Sequence, residues 1–378
     1  MEGQKTDAYK SRRFQLTSGP QPATMCIDAH ITFEERTVQV STNSDAGAPS
    51  PEPRPRFSLA KLSGILAPLS FLLILSVLLS IFVPHFRDRD NLKNIAIQAA
   101  VVAILACGQT AVIISGNIDL SVGAVMAFAG VVAAQAMNHN MVGVWGGVGI
   151  AILAGLVMGT ISGLITAFGK IPSFIVTLGM MGVVYGSAGI AANSRNVSGL
   201  SPGFEVFGTG ELFGGLNSDG IPYAVLIMLA VAVIVHILLS KTAWGRSIYA
   251  IGGNREAARL SGIKLTKSIT TVFALSGLLA GIAAVVNISR TNIAPLDAGN
   301  GYELYAVAAT VIGGTSLFGG QGGILGTIIG ALLMYTIRNW CALKSYPPEY
   351  ERVIVGVVVI LAVLYDRFGP GRKNAAHG

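Results

Sequence analysis

The sequence predicts an all-α fold, a polytopic membrane helix bundle with about ten transmembrane helices. Three observations carry that expectation. Of the 378 residues, 52% are hydrophobic and 12% are charged, with a mean hydropathy of +0.63; a soluble domain carries about twice that charge. Glycine supplies 47 residues, which suits helices packed backbone to backbone within a bilayer. From position 62 onward, apolar runs follow one another with short breaks, and about 20 helical residues cross the ~30 Å of hydrocarbon. This pattern excludes a water-soluble domain, a secreted disulfide scaffold and a nucleic-acid binder. The excess of 26 Lys and Arg over 19 Asp and Glu falls mainly in the tails and one loop, where it reports membrane orientation.

The chain divides into a tail at 1–56, a membrane domain at 57–368 and a second tail at 369–378. The first tail is polar, carries both signs of charge and ends in a Pro-rich linker around Pro49, Pro51, Pro53 and Pro55. It has no apolar periodicity and no signal-peptide core, and reads as disordered and cytoplasmic. The candidate spans are 62–84, 92–115, 119–137, 144–168, 171–192, 222–239, 269–289, 304–317, 321–340 and 352–366. The loop at 240–268 holds Lys241, Arg246, Arg255, Arg259, Lys264 and Lys267 against the single acid Glu256, and the C-terminal end adds Arg367, Arg372 and Lys373. Both termini are therefore expected inside, although Arg87, Arg89 and Lys93 then fall outside beside Asp88 and Asp90. Cys26, Cys107 and Cys341 show no metal-ligand spacing and their odd number argues against a disulfide framework. No metal site is expected.

Three segments depart from plain apolar helix. In the first, the helix stops at Gly116, and a polar step through Asn117, Asp119 and Ser121 precedes Gly123 and the next apolar run, with Gln109 a few residues upstream. Backbone broken at membrane depth must be buried in protein or line a water-filled cavity. Asp119 is placed to cap the following helix at its positive end, or to serve a passing substrate directly. In the second, six glycines fall within eleven residues: Gly313, Gly314, Gly319, Gly320, Gly322 and Gly323. Thr310 precedes them, and Thr315, Ser316 and Gln321 lie among them. This is a sharp turn or a close helix contact. Without a Lys it is no phosphate loop. Gly116, Leu120 and Gly123 match Gly313, Leu317 and Gly320 at an offset of 197, either an internal repeat or a chance likeness of glycine-rich turns. In the third, the basic loop, Asn254 reads as an N-cap, Arg255 to Leu260 as a short helix with Glu256 in its first turn, and Gly262 as its stop. Such a helix suits docking of a cytoplasmic partner, or a membrane surface rich in anionic lipid.

Taken together, Ile-Ser-Gly-Asn-Ile-Asp-Leu-Ser-Val-Gly at 114–123, Gly-Asn-Arg-Glu-Ala-Ala-Arg-Leu-Ser-Gly-Ile at 253–263 and Val-Ile-Gly-Gly-Thr-Ser-Leu-Phe-Gly-Gly at 311–320 resemble one family. It is that of the permease subunits of bacterial ABC sugar importers of the ribose, xylose and galactose type. Order and spacing agree over roughly 57–368. Where the family usually reads Gly-Gly-Ile-Asp-Leu-Ser, Asn117 replaces a glycine. The resemblance implies a multi-pass inner-membrane protein that pairs with a second copy of itself. It also implies that the permease receives sugar from a periplasmic binding protein and docks a cytoplasmic ABC ATPase subunit. ATP and Mg would then sit on that partner, with no cofactor and no catalytic residue on this chain. The coupling helix would be Asn254, Arg255, Glu256, Ala257, Ala258, Arg259 and Gly262. Sugar-path candidates are Gln109, Asn117, Ser121, Thr310, Thr315, Ser316 and Gln321, hydroxyl or amide side chains suited to weak contacts with a neutral sugar. An ion-coupled secondary sugar transporter is the alternative, but few ionisable residues lie in the spans to couple an ion. The five His residues form no pairing with a nucleophile or metal motif, which argues against an intramembrane enzyme.

Overall fold

The computed structural model describes residues 59–214 and 220–368, all within the unit Phe57–Gly378. The tails expected at 1–56 and 369–378 lie outside the described residues. The chain opens with α1 (Leu59–Phe82), α2 (Arg89–Ile114), α3 (Val122–Asn138), α4 (Val144–Gly169) and α5 (Ser173–Ala191). A loop follows with β1 (Val197–Ser198), α6 (Val206–Thr209), β2 (Glu211–Leu212) and β3 (Ile221–Pro222). Then come α7 (Tyr223–Lys241), α8 (Ala243–Gly253), α9 (Arg255–Leu260) and α10 (Leu265–Thr291). The chain ends with β4 (Ile293–Ala294), α11 (Tyr302–Ile312), α12 (Ile324–Leu343) and α13 (Pro348–Phe368). The strands form two antiparallel two-residue pairs, β1 with β4 and β2 with β3, a small departure from an all-α chain.

Among the described residues, six helices are long and apolar enough to cross a bilayer: α2, α4, α5, α7, α10 and α12. Shorter apolar helices are α3, α11 and the 66–82 part of α1. The candidate span 304–317 ends at Ile312, because Gly313 and Gly314 close the helix; at eleven residues α11 reaches only ~16 Å. The candidate span 119–137 starts as helix only at Val122, since the residues before it form the break. The basic loop holds a helix that its glycines concealed. Thr242 caps α8 by accepting the Gly245 N–H at 3.1 Å, and Ile248 and Ile251 are buried one turn apart.

Helix α2 lies at the centre. Every residue from Ala99 to Ile114 is buried, as expected of a helix apolar on all sides. Around it pack α10, α11, α12 and α7, with α3 held between α10, α4 and α5. Large apolar side chains point outward from the remaining helices, among them Phe82, Leu153, Ile190, Ile234 and Val353. An apolar surface this extensive is the face presented to lipid.

The seam between α4 and α10 is built from glycine. The two helices run antiparallel, with Gly155 against Gly277 and Gly281, Gly159 against Phe273 and Gly277, and Gly163 against Thr270. A Cβ on Gly155 would stand 2.2 Å from the Gly277 carbonyl oxygen, so only backbone fits there.

Candidate functional site

Both helix breaks begin with the same closure. Helix α2 ends with Gly116 N–H donating to Ile113 O at 2.9 Å and Asn117 N–H to Val112 O at 3.1 Å. Helix α11 ends with Gly314 N–H donating to Val311 O at 2.9 Å and Thr315 N–H to Thr310 O at 3.1 Å. Each is a Schellman motif, with Gly116 and Gly314 in the left-handed position at φ +74° and +88°. The two closures therefore correspond at an offset of 198 residues, one off the register suggested by the sequence. Asn117 stands just after the left-handed glycine and needs no positive φ itself, so its side chain is accommodated. Its amide donates to Ser115 Oγ at 2.9 Å.

The first break is stitched to three helices. Asp119 is buried; its Oδ1 accepts from Ser121 N–H at 2.9 Å and Ser121 Oγ at 2.6 Å, and its Oδ2 accepts from Ser276 Oγ of α10 at 2.9 Å. With its amide oxygen turned toward the Asp119 N–H, Gln109 of α2 bridges both backbone groups of Asp119 at 3.2 Å. From α5, Ser173 Oγ accepts from Ile118 N–H at 3.0 Å and Thr177 Oγ1 from Leu120 N–H at 3.1 Å. Polar backbone away from helix geometry is thus satisfied inside the protein. Ser276 lies eleven residues into α10, about 16 Å along its axis. The break meets α10 at that level, and α3 starts just beyond it.

The second break is held by α13 and α12. Asp366 Oδ2 accepts from Ser316 Oγ at 3.0 Å and Leu317 N–H at 3.3 Å. Gly313 lies flat against Gly326, and the Gln321 backbone oxygen accepts from Ser316 N–H at 3.2 Å while its side chain is exposed. Thr310 belongs to a buried hydroxyl cluster linking three helices. Thr110 Oγ1 is 2.7 Å from Thr327 Oγ1 and 3.4 Å from Thr310 Oγ1. Thr315 is buried, and its Oγ1 has no hydrogen-bond partner among the described residues.

These segments, far apart in sequence, meet at the end of α8. Gly320 N–H donates to Ile114 O at 2.8 Å, and Tyr249 Oη donates to Gly322 O at 2.8 Å. Gly252 is wedged between the breaks: a Cβ there would lie 1.8 Å from Ile114 O and 2.5 Å from Gly320 N. On the other side, Gly319 approaches Gly116 and Gly320 approaches Gly253. Helix α9 follows at once. Asn254 Oδ1 caps it by accepting Ala257 N–H at 2.9 Å, Ala258 is its buried residue, and Gly262 at φ +83° closes it with a third Schellman motif. Glu256 and Arg259 form an exposed pair with contacts of 2.5–3.2 Å. The Arg259 hydrogen bonds lower the Glu256 pKa, so the pair is intact above the ordinary carboxylate range and is lost as pH falls through the depressed value. Beside α9 opens a cavity of about 810 Å³, lined in part by Asn117, Lys170, Ser173, Arg255 and Arg259.

Gly123 is not part of this junction. It opens α3 and meets the residues before α11; a Cβ there would lie 2.2 Å from Gly299 O. Sequence reasoning missed Gly252, Tyr249, Ser173, Thr177, Ser276 and Asp366, whose partners lie tens to hundreds of residues away. Only the paired glycines at 252–253 gave a local signal. Leu260, 75% exposed at the tip of α9, was equally unmarked.

Comparison with known proteins agrees with this architecture. The family described as "Branched-chain amino acid transport system / permease component" matches residues 91–363. The ribose import permease protein of Escherichia coli (strain K12) is 40% identical over 296 residues, 78% of this chain and 91% of that protein. Its counterpart in Bacillus subtilis (strain 168) is 39% identical over 80% of this chain and 92% of its own length. The D-allose transport system permease protein of Escherichia coli (strain K12) is 35% identical over 78% and 90%. No solved structure matches the chain. Family match and relatives together place the chain in the family of membrane-spanning permease components of bacterial ABC importers, transport subunits of the inner membrane rather than enzymes.

Proposed function

We propose that the chain forms the translocation path of an ATP-driven monosaccharide importer and works by alternating access. The family description names branched-chain amino acids, but the relatives at 35–40% identity are permeases for ribose and allose, and this favours a sugar. The supporting observation is the wedge at Gly252: α9 leads through two glycines directly into both helix breaks. Closure of ATP-loaded partner subunits displaces α9, with Asn254 to Gly262 as the docking element and Leu260 as its apolar anchor. The displacement passes through Gly252 and Gly253 to both breaks, shifting the balance between inward- and outward-open states. ATP and Mg stay on the partner, and a periplasmic binding protein delivers the sugar.

In this reading the chain makes ten crossings, those through α3 and α11 being part helix and part break, with both termini cytoplasmic. Helix ends alternate accordingly. The end of α2, the start of α12 and Asp366 near the end of α13 gather around the α8–α9 junction. The start of α2 meets the end of α12 through Asn91 and Asn339 at 2.7 Å. The functional unit is a pair of these chains. Gly179, Gly182, Gly186 and Gly189 line α5 with open space before them, a surface on which a second helix can lie close. Gln109, Ser121, Thr310 and Ser316 hold the breaks in shape.

The test is Glu256→Lys, which reverses the charge on the exposed face of α9. ATP-driven sugar uptake is expected to fall at least tenfold while membrane insertion is kept. Unchanged uptake removes α9 from the mechanism. Co-purification from the native membrane is expected to recover an ATPase subunit, and recovery of the chain alone with ion-driven uptake in liposomes overturns the importer reading.

A further inference from the structure

Two cavities adjoin at one end of the α4–α10 seam. The cavity of about 810 Å³ beside α9 shares Leu265 and Thr266 with a groove of about 560 Å³. The groove is apolar, and its outer wall is Leu164 and Phe168 of α4, 39% and 70% exposed on the side that meets lipid. Around this apolar slot stand five cations. Lys170, Arg255 and Arg259 line the larger cavity, Lys264 and Lys267 line the groove, and no Asp or Glu among the described residues lines either. Among the described residues, Lys170, Arg255, Lys264 and Lys267 form no ion pair, and Arg259 pairs with Glu256. Lys170 directly follows α4 and Lys264 directly precedes α10, two helices long and apolar enough to cross a bilayer. The cations therefore stand where spanning segments meet the headgroups. Arg255 and Arg259, four residues apart, share one side of α9, while Glu256 and Leu260 share the next.

We propose that the adjoining cavities form a binding site for an anionic phospholipid, its phosphate headgroup among the cations and an acyl chain along Leu164 and Phe168. Like charges gathered without carboxylates repel one another, and an anion between them relieves that repulsion. Basic pockets between spanning helices hold anionic headgroups in this way, and lysine stems lie along apolar surface while their ammonium groups reach the phosphate. The apolar groove selects among anions: free phosphate would engage the cations and leave the groove unfilled. A zwitterionic lipid would fill the groove but bring a further cation into the cluster. A neutral sugar has use for neither part, and the proposal does not depend on which solute the chain carries. The bound lipid ties the Arg255 and Arg259 side of α9 to the ends of α4 and α10. It leaves the Glu256 and Leu260 side open to a protein partner.

The experiment takes the full chain in detergent and titrates it with phosphatidylglycerol, phosphatidylcholine or inorganic phosphate. Retained lipid is counted by native mass spectrometry, and the unfolding midpoint is followed in parallel. Phosphatidylglycerol is expected to be retained about tenfold or more tightly than phosphatidylcholine and to raise the midpoint, while inorganic phosphate leaves the midpoint unchanged. Arg255→Gln combined with Lys267→Gln removes one cation from each cavity. Both side chains are exposed, so the fold is kept, and retention of phosphatidylglycerol is expected to fall about tenfold or more. Lys241→Gln combined with Arg246→Gln removes the same charge from the same loop at residues that line neither cavity, and is expected to leave retention within twofold. Equal retention of the two lipids, equal losses in the two double variants, or a midpoint rise with inorganic phosphate each overturn the proposal. Unchanged phosphatidylglycerol retention in the Arg255 and Lys267 variant, with loss of the co-purified ATPase subunit, assigns the cations to the protein partner and overturns it as well.

Discussion

Asp119 occupies a position where a carboxylate survives only if its lone pairs are filled. It draws on three sources: its own turn through Ser121, α10 through Ser276, and α2 through the Gln109 amide on its backbone. Ser276→Ala leaves Oδ2 buried without that donor. We expect a stability loss of about 2 kcal/mol, read as a lowered unfolding midpoint of the detergent-solubilised protein; an unchanged midpoint would show that Oδ2 finds another partner. That Asp119 bonds within its own turn was readable from its spacing to Ser121, although it does not cap α3, which has no side-chain cap hydrogen bond. That its other oxygen is held from 157 residues away was not, because nothing local to either residue marks the pairing. Glu303 shows the same limit. It lies near a segment end in sequence, and only the fold shows its carboxylate against the first turn of α3.

At the scale of elements, glycine has two separate roles that composition cannot distinguish. Gly116, Gly314 and Gly262 are needed for their backbone conformation, whereas Gly252 is needed for space. Gly252→Ala places a methyl 1.8 Å from the Ile114 carbonyl oxygen, with backbone on the other side as well. Neither wall can turn aside, so the α8–α9 junction must move. We expect this variant to insert but lose most ATP-driven uptake, whereas Gly253→Ala, with open space at that position, retains it; equal activity of the two removes Gly252 as a contact between junction and breaks. Helix α9 was legible in the sequence because Asn254 and Gly262 are local signals, a cap and a stop. Helix α8 was not, because Gly245, Gly252 and Gly253 resemble loop residues until their close neighbours are known. The shortness of α11 was partly legible, because the run at 304–317 is short for a span and adjoins a glycine-rich break, but an apolar run does not show that Gly313 and Gly314 close the helix at Ile312.

Across the whole molecule, the two ends are built differently. The end near α9 is held by backbone contacts between glycines. Toward the other end, side chains take over: Arg338 lies over the rings of Tyr305 and Tyr335, pairs with Glu351 at 3.3 Å, and Tyr305 also bonds Glu351. Between these ends runs the α4–α10 seam. Gly277→Ala would set a methyl 2.2 Å from Gly155 O and 2.7 Å from Gly159 Cα. Parting the two backbones is expected to cost about 1–3 kcal/mol or more, visible as a lower unfolding temperature and a reduced yield of folded protein. A normal yield and midpoint would mean that the seam has slack. If it has none, α4 and α10 behave as one stiff beam whose end at Leu265 follows α9. Over the ~40 Å length of α10, a tilt of about 5° carries the far end roughly 3.5 Å, so a small push at α9 is magnified at the far end of the seam.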